Sequence, residues 1–102
     1  MLGILKRPAA LQDIEECFVH IAGDNLEVGL AFLYAVDHNL ERLTEFPSLG
    51  RARNFRSEEL GDVRMWRVEG YDKYLIFYTV GGGSIEIIRV LHASRDIDDL
   101  FS

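Results

Sequence analysis

The chain of 102 residues has a single cysteine, two prolines and three histidines. One thiol, Cys17, excludes an internal disulfide framework and fits a reducing compartment, so the cytoplasm is the expected location. No apolar run approaches the roughly 20 residues needed to cross a bilayer. Met1–Pro8 places its apolar residues before its charges, the reverse of a secretory leader. No membrane partner is expected. His20, His38 and His92 are far apart and lack paired ligand spacing, so neither a metal nor a cofactor is expected. Gly81-Gly82-Gly83 lacks the strand-to-helix context and the lysine of a phosphate-cradling loop. What is present is a globular composition, 48% apolar and 27% charged, of a size that forms one core. A single domain over residues 1–102 follows.

Charge is spread unevenly. The net charge is −6. Acids dominate the first half and return in the tail Asp96, Asp98, Asp99, while the basic residues gather in the second half. Most of them are arginines, including Arg51, Arg53 and Arg56, then Arg64 and Arg67, then Arg89 and Arg95. Arginine favours fixed, forked contacts with carboxylates or phosphates. These residues either pair with the chain's own surplus acids or face a partner. A net acidic chain is repelled by a phosphate backbone, so direct nucleic-acid binding is disfavoured.

Periodicity gives the elements. Leu2–Lys6 reads as a short strand, and Pro8 suits the first turn of a helix. Leu11, Ile14, Phe18 and Ile21 recur at helical steps beside Cys17, with Gln12, Asp13, Glu15 and Glu16 expected on the solvent side. Gly23-Asp24-Asn25 supplies a stop and a new cap. A second helix carries Leu33, Val36, Leu40 and Leu43, widened by Leu30, Phe32 and Phe46, with Asp37, Asn39, Glu41 and Arg42 expected in solvent. Pro47 ends it. So short a connection makes the helices an antiparallel hairpin. Ser48–Gly61 reads as a polar connection and Gly70–Asp72 as a turn. Val63–Val68, Lys73–Val80 and Ile85–Leu91 read as strands, the last two joined by the glycine turn. The expected architecture is α+β in two layers: an N-terminal strand, a helical hairpin, then a three-stranded antiparallel sheet.

Few constellations could carry chemistry. Cys17 and His20 stand three residues apart on one helix, a spacing open to a nucleophile and its base, but Cys17 borders the apolar stripe and also reads as a packed, inert thiol. Trp66, Tyr71, Tyr74 and Tyr78 either form a base-stacking platform or face the helices.

Tyr74-Leu-Ile-Phe-Tyr78 followed by Ile87-Ile-Arg-Val-Leu-His-Ala-Ser-Arg-Asp96, with Phe46-Pro-Ser-Leu-Gly50-Arg51 and Gly61 before them, resembles the RelE/ParE superfamily of bacterial toxins, and within it the ParE branch. The resemblance runs over nearly the whole chain. It implies a helical hairpin packed on a twisted antiparallel sheet. RelE-like members resemble ribosome-dependent messenger-RNA endonucleases, ParE-like members bind DNA gyrase, and both are silenced by a cognate antitoxin. The positions where the nuclease branch carries two arginines and a late tyrosine fall at Leu75, near Ala93 and near Asp99 here. RNA cleavage of that kind needs a base for the 2′-hydroxyl proton and cations for the phosphate, and Leu75 and Ala93 supply neither.

The resemblance therefore implies a non-enzymatic toxin that inhibits gyrase by binding, assembled with its antitoxin in a hetero-oligomer. Arg51, Arg53, Arg56, Arg64, Arg67 and Arg95 are the candidate partner-binding residues. The alternatives are a RelE-like ribonuclease using His92, Arg89 and Arg95, or an inert relative that only binds its antitoxin.

Overall fold

A computed structural model describes residues 2–55 and 61–101. The chain runs β1 (Gly3–Lys6), α1 (Pro8–Asp24), α2 (Leu26–Glu45), a single 3₁₀ turn (Pro47–Leu49), β2 (Arg51–Arg53), β3 (Val63–Val68), β4 (Tyr71–Gly81), β5 (Ser84–His92) and α3 (Ile97–Leu100). The architecture is α+β, with α1 and α2 forming the expected hairpin. The sheet, however, has five strands in the order β1-β5-β4-β3-β2, not three. It is also mixed: β1 pairs in parallel with β5, whereas the other three pairings are antiparallel. The helical hairpin carries the chain across the sheet between β1 and the later strands, and that crossover allows the parallel pairing.

Local chemistry explains most boundaries. Asn25 closes α1 with its N–H on the Ile21 carbonyl and opens α2 by accepting the Val28 N–H on its side chain at 3.2 Å. Gly29 sits where the helices cross, since a Cβ there would stand 2.8 Å from the Ala22 Cβ. Gly82 and Gly83 have φ of +59° and +79°, the left-handed pair that a tight hairpin turn requires. The turn expected at Gly70–Asp72 lies one step earlier, at Glu69-Gly70, and Tyr71 already belongs to β4.

Both faces of the sheet are covered. Toward the helices, Phe32, Val36, Leu40 and Leu43 of α2 pack with Ile76 and Tyr78 of β4 and Ile85, Ile87 and Val90 of β5. On the other face, Val63, Leu75, Phe77, Ile88 and Leu91 meet Phe101, with Phe55 and Ile97 alongside. Phe101 stacks on Phe55 at 4.4 Å between centroids and lies 4.9 Å from Phe77. The acidic tail thus returns to the sheet and roofs its second face. A bulge separates the faces in β5: Phe77 opposes Arg89 but Tyr78 opposes Ile87, which leaves Ile88 as the extra residue.

Two polar residues expected in solvent are buried instead. Asp13 and Asn39 retain 5% and 1% of their exposure, while Leu11, assigned to the core stripe, keeps 52%. Leu30 and Phe46 are likewise exposed. Ala10, Asp13 and Cys17 face the sheet because β5 offers Asp13 hydrogen-bond donors there. Asn39 accepts from the Trp66 indole at 2.9 Å and the Glu69 N–H at 3.2 Å, and donates to the Ala35 carbonyl at 2.6 Å. Buried polar groups survive when satisfied in this way.

Candidate functional site

Three regions hold the chemistry-bearing residues. The first is a cleft of about 290 Å³ between α1 and the end of β5, lined by Cys17, His20, Tyr74, His92 and Arg95 among others. At its back, Asp13 takes a bidentate pair from Arg89, Nε at 2.7 Å and Nη2 at 2.8 Å, and accepts the Val90 N–H at 3.0 Å. β1 stops at Lys6, opposite Ile87. Among the described residues β5 has no strand on this side beyond that point, and the Asp13 carboxylate takes the place of the missing ladder acceptor. The Asp13 pairing raises the Arg89 pKa above its ordinary value and keeps the guanidinium charged.

Local bonds fix His92 within the cleft. His92 Nδ1 accepts the Ser94 N–H at 3.0 Å and lies 2.7 Å from the Ser94 hydroxyl. An accepting Nδ1 places the proton of the neutral ring on Nε2. The ring stands edge-on to Tyr74 at 5.1 Å. Cys17 is half-buried, and burial followed by the nearby Asp13 and Glu16 pushes its thiol up to about 11. It is a protonated packing group at neutral pH rather than a nucleophile. Arg95 is exposed at the mouth, and its backbone N–H closes on the His92 carbonyl at 3.0 Å. Among the described residues no cluster of three or more His, Cys, Asp or Glu is placed to hold a metal ion.

The second region is the arginine-bearing end of the sheet. Arg51 and Arg53 project from β2 on the face that carries Met65, away from the helices. Arg53 lies over the Phe55 ring at 5.1 Å and reaches Asp98 at 3.4 Å, tying the tail to the sheet. Arg64 turns back to the Gly50 carbonyl at 2.7 Å, and Arg67 donates to the Asp72 carbonyl at 2.7 Å. Arg56 lies outside the described residues. The structure thus brings Arg51 and Arg67 to one groove, ties Arg53 to Phe55 and Asp98, engages Arg64 with the backbone, and leaves Arg95 at the cleft mouth. The sequence offered no signal for Asp13, whose ion-pair partner lies 76 residues away.

The third region is the helical hairpin itself, which exposes Leu11, Val19, Leu26, Leu30 and Tyr34. Trp66, Tyr71 and Tyr74 pack toward this hairpin and form no free stacking platform. The Trp66 indole bonds Asn39, Tyr71 meets Phe32 edge-on at 5.3 Å, and Tyr74 lies 5.0 Å from Phe32. Leu75 and Phe77 sit in the apolar cluster of the opposite face. Among the described residues no helix is long and apolar enough to cross a membrane.

A helical hairpin on a mixed five-stranded sheet, with Arg51 and Arg53 on one edge strand and exposed apolar side chains along its helices, defines a small α+β domain. The sequence matches the family described as ParE toxin of type II toxin-antitoxin system, parDE, over residues 4–97, and the chain belongs to that family. A solved chain from the chromosomal ParDE TA system of P. aeruginosa has a similar fold. Its TM-score is 0.71 and its identity 18%, over 90% of this chain and 96% of that one. No curated protein matches the sequence.

Proposed function

We propose that this toxin inhibits DNA gyrase by binding it, in the cytoplasm, and that a cognate antitoxin silences it by wrapping the helical hairpin. The observation that carries the reading is the fate of Arg89, whose guanidinium is taken up by the buried Asp13. Leu75 is buried in the apolar cluster with Phe101, and Ala93 has no group to move a proton or hold charge. Cleavage of RNA needs a base beside cations. A toxin whose strand arginine is committed to its own helix is better suited to act by surface complementarity. The exposed leucines of α1 and α2 support an antitoxin of amphipathic character, because exposed apolar patches of this kind mark partner sites.

One observation favours a second reading. His92 and Arg95 both line the cleft, and an imidazole beside a guanidinium is the minimum for acting on a phosphodiester. Induced expression in a bacterium separates the two. Gyrase inhibition gives filamentous cells and a DNA-damage response, and His92→Ala leaves toxicity in place. A ribonuclease gives rapid translation arrest with cut messages, and His92→Ala abolishes it. Unimpaired growth contradicts both readings and leaves an inert antitoxin-binding relative.

A further inference from the structure

The chain's arginines divide by what they meet. Arg7, Arg42, Arg53 and Arg89 pair with Glu86, Glu69, Asp98 and Asp13. Arg67 donates one N–H to a backbone carbonyl, and Arg51 meets no carboxylate among the described residues. Both are exposed. Arg64 is taken up by the Ser48 and Gly50 carbonyls and Arg95 stands apart at the cleft mouth, so Arg51 and Arg67 are the exposed pair at this end of the sheet that meets no carboxylate among the described residues. They are also neighbours. Arg51 lies opposite Met65, and Arg67 follows Met65 by two along β3, a diagonal spacing of about 7–8 Å.

Between them runs a groove of about 410 Å³, with Met65 and Leu49 as its apolar lining and Glu69 and Asp72 at its rim. β2 pairs only Val63–Met65, so among the described residues the edge of β3 from Trp66 to Val68 has no neighbouring strand. An open strand edge offers backbone donors and acceptors to an extended segment. Resting on the gyrase-binding reading, we propose that this groove seats a short extended segment of the topoisomerase. Its carboxylates meet Arg51 and Arg67 while its backbone pairs with the open edge of β3.

The chemistry selects this occupant over two others. A nucleic-acid backbone would bring a continuous row of phosphates against a net acidic molecule, while this groove has two arginines among its described lining, enough for one or two discrete anionic groups. An antitoxin segment of amphipathic character finds its apolar partners on the helical hairpin, where Leu11, Val19, Leu26 and Leu30 are exposed. The arginine groove fits one or two discrete carboxylates, which the forked guanidinium geometry favours.

The test is the double variant Arg51→Glu/Arg67→Glu, with Arg51→Gln/Arg67→Gln as a milder companion. Both sites are exposed and outside the two apolar clusters, so circular dichroism and melting should match the parent. Three quantities are read: inhibition of supercoiling, binding to purified gyrase without DNA, and complex formation with the antitoxin. The glutamate pair should raise the half-inhibitory concentration by about thirtyfold or more. Binding to DNA-free gyrase should weaken in parallel, the antitoxin complex should be unchanged, and the glutamine pair should move the same way by less. Inhibition at the parent concentration overturns the proposal. So does a loss seen only when DNA is present, which marks a phosphate contact, or a loss of antitoxin binding with gyrase inhibition intact. If the parent protein itself leaves gyrase untouched, the functional reading fails and the groove assignment falls with it.

Discussion

Asp13 shows how one side chain joins three elements. It stands on α1, pairs with Arg89, and takes the backbone N–H of Val90 just past the point where β1 ends. Removing one partner of such a pair leaves a poorly solvated charge and an unsatisfied donor, whereas replacing both by apolar groups is far milder. Asp13→Ala should therefore lower stability by about 3 kcal/mol in urea unfolding, and the Asp13→Leu/Arg89→Met double variant should recover most of the loss. Equal destabilisation by the single and double variants would contradict the assignment. Cys17 provides a pH-dependent counterpart. Its pKa is raised in the fold by burial, then by Asp13 and Glu16, to about 11 from 9.0. A raised acid favours the folded state while protonated, so its contribution is complete below pH 9 and is lost as pH climbs toward 11. Alkylation by iodoacetamide at pH 8 should be slow in the folded protein and rapid after denaturation. A fast native reaction would contradict that environment.

At the scale of elements, the parts the sequence reveals are those whose periodicity carries the information. The two helices, β3, β4 and β5, and the glycine turn all follow from spacing and turn chemistry. β2 does not, because Arg51-Ala52-Arg53 has no apolar alternation and owes its strand to pairing with β3. Asp13 and Asn39 read as solvent-facing in the sequence for a related reason: helical phase marks a face, but partners across the fold decide whether a polar residue is buried there. α3 is hidden behind a run of aspartates whose charge reads as a solvated tail. Only Phe101 reveals its role, as the stacked lid on Phe55 and Phe77. Phe101→Ala should cost about 3 kcal/mol and open the second face to a hydrophobic dye such as ANS, leaving the helix-side cluster folded. Unchanged melting and no dye binding would show that the segment adds nothing to the core. The arginines mark the boundary of what can be read from sequence. Composition announced a surplus of them in the second half, but only three-dimensional placement separates Arg89, paired internally, from Arg51 at the groove.

For the whole molecule, the two edges of the sheet differ in character. β1 at one edge leaves Ile4 and Leu5 exposed, while the opposite edge carries Arg51, with Arg67 close by on β3. The helical hairpin adds exposed leucines to a strongly acidic first half. The proposed function assigns these separate surfaces to two partners, the gyrase at the arginine-bearing edge and the antitoxin along the hairpin. The measurement that tests this most directly is a supercoiling assay with purified gyrase and relaxed plasmid, run with the toxin alone and then with its antitoxin added. Loss of supercoiling by the toxin, restored by an equimolar antitoxin, is the predicted result. Undisturbed supercoiling, alongside messenger RNA cut by the same preparation in a translating extract, would contradict it.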